Sequence, residues 1–314
     1  MWSRIQYALI YSWVKVHALL PMKVLYLLSD ILYVLIYRIG RYRVKVVRQN
    51  MYASFPDRPE AELRKMERRF YHHFADYVVE TIKLAHISLE ELQRRAFLRN
   101  PELVDRLMEK GHTCFILMMG HYGNWEWFSG STSRFRDSRI YQIYRPLNNK
   151  AFDRLFIRLR TQFGSFGIKK QDTVRDVIQL KKDKIRSVVI FIADQTPSRN
   201  NLHYWTTFLN QDTSILTGPE RLARKLDLPV IFLDTRQVKR GYYTVDMELI
   251  TETPKETPEN WITERYARLM EQCILRDPAN WLWTHKRWKY KREEKQTSNE
   301  IKTESHTHED NRSH

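Results

Sequence analysis

Apolar residues fall in three successive rhythms along the chain. Up to residue 48 they are dense, and Val24 to Tyr37 is interrupted only by Ser29 and Asp30. A clean spanning helix needs about 20 apolar residues, and Lys23 with Asp30 spoils that length. The spacing predicts a membrane-seated N-terminal helix over 1–48. From Phe55-Pro56-Asp57 onward the period becomes helical. Leu63, Met66, Phe70, Phe74, Tyr77 and Leu84 recur every three or four positions, predicting an amphipathic helix over 58–86. Asp57 and Glu60 stand at capping-box spacing before it. Ser88 and Glu91 restart a helix, and Asn100-Pro101 opens another that Gly111 stops.

The third rhythm alternates. Short apolar runs at 113–119, 139–144, 187–193 and 229–234 read as buried strands. Helical patterns at 149–162, 172–183 and 217–226 lie between them. The fold class this predicts is α/β, a mostly parallel sheet covered by helices. Val245, Met247 and Leu249 alternate with polar residues, as a half-exposed edge strand would, and a helix over 258–276 follows. Residues 291–314 are polar and nearly free of apolar side chains, which predicts a disordered tail. The organisation expected is an anchor at 1–48, a catalytic domain at 49–290 and the tail.

Charge adds a partner class. The chain of 314 residues carries a formal +16, and eight basic residues stand against the single acid Asp30 in the first fifty positions. Such a surface suits acidic partners: anionic lipid, an acidic carrier protein or nucleic acid. Five of those basic residues, Arg38, Arg41, Arg43, Lys45 and Arg48, directly follow the apolar stretch, the arrangement expected on the cytoplasmic side of a membrane. Cys114 and Cys273 sit in apolar or helical surroundings and read as two buried, reduced thiols.

Candidate chemistry gathers at strand ends, where ligands of α/β sheets sit. The first strand runs into Gly120-His121, the second into Tyr144-Arg145-Pro146 and the third into Ala193-Asp194-Gln195. If these strands are parallel neighbours, His121, Glu126, Arg145 and Asp194 meet in one crevice. A turn at Tyr122-Gly123 and a helix from Asn124 would let Glu126 fold back onto one imidazole nitrogen, while the other takes a proton from a hydroxyl. The spacing is not HExxH, and no G-x-S-x-G elbow supplies a nucleophile. A base without a protein nucleophile points to direct attack by a substrate hydroxyl on an activated acyl group.

Gly-His-Tyr-Gly-Asn-Trp-Glu resembles the His-x4-Asp/Glu box of the glycerolipid acyltransferases. In its extended form it resembles that of the lipid A biosynthesis (lauroyl/myristoyl) acyltransferases. The likeness runs through Tyr144-Arg145-Pro146, Ala193-Asp194-Gln195-Thr196-Pro197, Thr217-Gly218-Pro219-Glu220-Arg221 and Trp281-Leu282-Trp283-Thr284-His285-Lys286-Arg287-Trp288, almost to residue 290. It implies His121 as general base, Glu126 as its orienting partner, and Arg145, Asp194, Asn124 and Gln195 as substrate-binding residues. It implies no metal and no cofactor. The donor it implies is acyl carrier protein, the acceptor a lipid A precursor, and the place the cytoplasmic face of a bacterial inner membrane. Gly120 departs from the asparagine that many relatives carry there. Two other readings stay open: the same chemistry on another glycolipid, phospholipid or aminolipid, and a non-catalytic basic protein binding membranes or nucleic acid. The tryptophans at 281–288 either close the core or form an interfacial belt.

Overall fold

Cys114–Met119 is buried along its whole length, and its side chains divide between two cores. Cys114, Ile116 and Met118 pack on one side of the sheet, and Phe115, Leu117 and Met119 on the other. That is why the run reads as continuously apolar: a central parallel strand has no wet face. The computed structural model describes residues 2–292 apart from 136 and 137.

Nine strands and ten α-helices are found among the described residues. The strands are β1 (Ala96–Leu98), β2 (Cys114–Met119), β3 (Arg139–Tyr144), β4 (Phe166–Lys169), β5 (Ser187–Ile192), β6 (Tyr204–Phe208), β7 (Gln211–Ile215), β8 (Val230–Lys239) and β9 (Tyr242–Thr251). The helices are α1 (Trp2–Ala18), α2 (Met22–Tyr33), α3 (Val44–Ser54), α4 (Glu60–Lys83), α5 (Leu89–Arg95), α6 (Glu102–Glu109), α7 (Lys150–Thr161), α8 (Thr173–Lys182), α9 (Gly218–Leu226) and α10 (Trp261–Arg276). Seven strands form one sheet in the order β1-β9-β8-β2-β5-β3-β4, parallel except where β8 meets β9; β6 and β7 pair separately as a hairpin. The expected α/β class and mostly parallel sheet are therefore observed.

Three expectations change. β9 is not an edge strand, because β1, too short to read from the sequence, pairs with it in parallel and takes the edge. Its alternation holds at Val245 and Met247, which face the core, and ends at Leu249, which is exposed. No side chain caps α4, which starts at Glu60 after Pro59. The N-terminal helix expected over 1–48 is instead α1 and α2, with a π-helical continuation over Val34–Ile39 and then α3. The stretches Ser3–Ala18 and Met22–Ile39 meet at 117°, and no single described helix is long and apolar enough to cross a membrane. The tail expected at 291–314 lies, from residue 293, outside the described residues.

The first two helices carry apolar side chains on both sides, unlike a typical surface helix: Val14 and Ala18 of α1 and Leu25 of α2 are buried. Tyr26, Ser29 and Tyr33 of α2 turn inward onto α4, where Tyr26 bonds Glu80, Ser29 bonds Asp76 and Tyr33 stacks on His72. Val24, Leu27, Ile31, Val34 and Leu35 point outward, as do Ile5, Leu9, Trp13 and Val16 of α1.

Candidate active site

Register builds the centre of the site. β2 and β5 are parallel neighbours, with Met119 opposite Ile192. Two residues beyond each strand end stand His121 and Asp194, so equal overhang brings them together. The His121 Nδ1 lies 2.7 Å from Asp194 Oδ1, and the His121 backbone N–H donates to Oδ2 at 3.0 Å. Trp281 Nε1 also donates to Oδ2, at 2.7 Å. Burial alone would raise the Asp194 carboxyl, but the His121 imidazole and these donors hold it down, at about 2. An ionised carboxylate on Nδ1 selects the tautomer with the proton there and leaves Nε2 as the acceptor. Nε2 meets the side-chain nitrogen of Gln195 at 3.3 Å.

The imidazole's partner is thus Asp194, and the expected Glu126–His121 pair is replaced by another. Glu126, almost wholly buried, receives Nε of Arg160 at 2.7 Å on Oε2 and Nη2 at 2.5 Å on Oε1. Trp125 Nε1 adds a third donor at 3.2 Å. The reason is local: no α-helix begins at Asn124. The chain makes a turn and then a 3₁₀ run over Trp127–Arg134, so the Glu126 side chain is carried toward α7 instead. Burial works to lower the Arg160 guanidinium pKa, but the Glu126 charge outweighs it and the pKa is raised. Nothing in the sequence singled out Arg160; it reads as one more basic residue on a solvated helix face.

The two glycines of the stretch have separate causes. Gly123 adopts φ +61, the left-handed region that costs other residues strain. Gly120 has no such φ, but a side chain there would run into the Met270 thioether of α10, with Asp194 just beyond. Close packing of α10 beneath the strand end explains the departure noted in the sequence.

Around this centre lies a cavity of about 960 Å³. Its wall includes His121, Glu126, Arg160, Arg145 and Gln195, continuing into Phe128, Ile143, Ile157, Ile190 and Leu222. Arg145 stands exposed just past the end of β3. Asn124 has a different place from the substrate contact expected of it. Buried behind the stretch, it donates to Glu80 Oε2 at 2.7 Å and accepts from the Trp127 N–H at 3.2 Å. Among the described residues no group of acidic, histidine or cysteine side chains is arranged to hold a metal. Both cysteines are free and buried, and burial raises both thiols.

The tryptophan-rich end closes the core; it is not a surface belt. Trp281 and Trp283 are buried, and this segment clamps the histidine stretch by its backbone. Leu282 N donates to His121 O at 3.1 Å, and Gly123 N donates to Asn280 O at 2.9 Å. Asn50 of α3 holds the same segment through the carbonyls of Trp283 and His285. His285, in the interior near Asp194, is pushed down to about 4 by burial and stays neutral.

A parallel sheet with a carboxylate-bound histidine at its strand ends and a half-apolar cavity beside it suits transfer of an acyl group. The chain belongs to the bacterial lipid A biosynthesis acyltransferases, whose family pattern it matches over residues 3–290. It is an acyltransferase of lipid A biosynthesis by that membership. It is 22% identical over 263 residues to the lipid A biosynthesis acyltransferase of Haemophilus influenzae, covering 83% of this chain and 82% of that protein. It is 23% identical over 283 residues to the lipid A biosynthesis lauroyltransferase of Escherichia coli, covering 85% and 89%.

Proposed function

We propose that the enzyme moves a fatty acyl chain from acyl carrier protein to a hydroxyl of a lipid A precursor, a hydroxyl on an acyl chain already attached. His121 is the general base. Nε2 takes the hydroxyl proton as the oxygen attacks the thioester carbonyl. The C–S bond breaks, and the leaving thiolate recovers that proton from the imidazolium. Asp194 stabilises the imidazolium and fixes the ring, and proton transfer by a base so positioned is worth about 10²–10⁴ in rate. Arg145 at the mouth suits phosphate or headgroup oxygens, which a guanidinium takes bidentately. The apolar wall accommodates the acyl chain. The observation that carries this reading is the 2.7 Å contact between Nδ1 and a buried carboxylate, with Nε2 turned to a residue of the cavity wall.

The outward apolar faces of α1 and α2 and the excess of basic groups support seating on an anionic membrane, on its cytoplasmic side. The donor, an acidic carrier, suits the same charge. The lauroyltransferase name of one relative favours late acylation. The test is expression in a strain lacking a late acyltransferase, followed by mass spectrometry of intact lipid A. One added acyl mass is expected with the wild type and none with His121→Ala, which should lower transfer in vitro by at least about 10²-fold. Normal transfer by folded His121→Ala would remove the base assignment. An added acyl group on some other lipid would shift the acceptor and leave the chemistry standing.

A further inference from the structure

Behind the histidine stretch, α4 presents three residues on one face, His73, Tyr77 and Glu80, at the i, i+4, i+7 spacing that aligns side chains along a helix. Each meets the catalytic segment. His73 Nε2 lies 3.3 Å from Gly123 O. The Tyr77 ring stacks on Trp125 at 4.2 Å, and Trp125 stands edge-on to His121 at 5.0 Å. Glu80 is wholly buried and takes three donors: Asn124 Nδ2 at 2.7 Å, Tyr26 Oη at 3.0 Å and Tyr243 Oη at 3.0 Å. Its backbone carbonyl also accepts Trp127 Nε1 at 2.9 Å.

A carboxylate sealed away from water is costly, and an apolar side chain would fill the same space. This one joins three parts of the molecule that sequence separates widely: α2, the stretch after β2, and β9. Asn124 uses both ends of its amide, bonding Glu80 with one and the Trp127 N–H with the other. The turn that sets the His121 and Glu126 directions is therefore held through Glu80.

We propose that Glu80 is a positioning residue of the reaction, tying the segment that carries His121 to α4 and to the outwardly apolar helix α2. This rests on His121 being the base. Burial, with some help from Asp76 on the same helix, pushes the Glu80 carboxyl up to about 7 against the pull of its three donors. Arg95 of α5 acts on Tyr26 beyond it. The sign is that of a raised carboxyl. Its contribution to stability is full at acid pH and is lost as pH rises through about 7. Replacing it by a neutral amide therefore does not weaken the fold at pH 8.

The experiment is Asn124→Asp in the full-length protein at pH 8, assayed with acyl carrier protein thioester and acceptor lipid. It removes the N–H that ties the histidine stretch to Glu80 and sets oxygen against oxygen. The expected result is a kcat at least tenfold lower with a donor KM within twofold of wild type. Adding Glu80→Gln reverses donor and acceptor in the broken bond. It should recover at least fivefold in kcat, since the amide introduced at position 80 can donate to the carboxylate at position 124, which still receives the Trp127 N–H. Glu80→Gln alone keeps an acceptor oxygen for Asn124, and its thermal midpoint at pH 8 should be unchanged or raised. An Asn124→Asp kcat within twofold of wild type, or a loss not recovered in the double variant, overturns the proposal. His121→Ala alongside separates the two readings. If it is inactive while Asn124→Asp is fully active, only the positioning role falls. If it is as active as wild type, the base assignment falls.

Discussion

Asp194 does more at the centre than its position after β5 suggests. Its two oxygens receive the imidazole, the His121 backbone amide and the Trp281 indole, so one side chain fixes the tautomer, the turn and the closing segment. Asp194→Asn keeps the shape but offers an amide where Nδ1–H needs an acceptor, which favours the wrong tautomer. A kcat about 10³–10⁴-fold lower is expected, by comparison with the same exchange in a serine protease triad. A pH titration of stability checks the charge. With a depressed pKa, the Asp194 contribution is present above ~4 and lost as pH falls through about 2. The wild-type unfolding midpoint should drop more steeply over that window than that of Asp194→Asn. Equal slopes would mean that the carboxylate gains nothing from its partners.

At the scale of elements, the stretch from Gly120 to Glu126 is held from several sides because it forms no helix or strand of its own. α4 holds it by Glu80 and Tyr77, α7 by Arg160, and the closing segment by Asn280 and Leu282. The Arg160–Glu126 pair is the link to α7. Arg160→Met leaves Glu126 buried without a counter-charge. Breaking a buried pair costs about 3–5 kcal/mol; with Arg160 27% exposed, about 2–3 kcal/mol is expected in denaturant unfolding. Adding Glu126→Leu should return most of that stability, because the orphaned charge is gone, yet should not restore activity if the pair also orders the cavity wall. A double variant as unstable as Arg160→Met would show that the charge was never the cause.

At the scale of the whole molecule, α1 and α2 carry apolar side chains outward as well as inward. Leu9, Val16 and Leu27 are more than half exposed, so exchanging each for Glu removes little packing. Flotation with vesicles of phosphatidylglycerol and phosphatidylethanolamine should show the wild type bound. The triple variant should be left in solution with its thermal midpoint within about 2 °C of wild type, as expected for surface changes. Equal flotation of both would leave this face without a membrane role. The interior ties of α2, Tyr26 on Glu80 and Ser29 on Asp76, explain why these helices belong to the folded body.

Much of this was legible in the chain. The strands β2, β3 and β5, the helices between them and the convergence of His121 and Asp194 on one crevice at neighbouring strand ends follow from hydrophobic period and parallel register, because central strands such as β2 and β5 are apolar almost throughout and their ends are punctuated. The family box located His121 for the same local reason. What sequence could not decide was which carboxylate faces the imidazole. Glu126 is near in the chain and Asp194 is distant, and the choice falls to Asp194 because β5 pairs with β2 while the turn at Asn124 swings Glu126 to Arg160. Long-range pairing also put β1 outside β9, sank Trp281 and Trp283 into the core, and gave Glu80 its three partners. Periodicity records whether a side chain faces water; which neighbour it finds inside depends on how the elements pack.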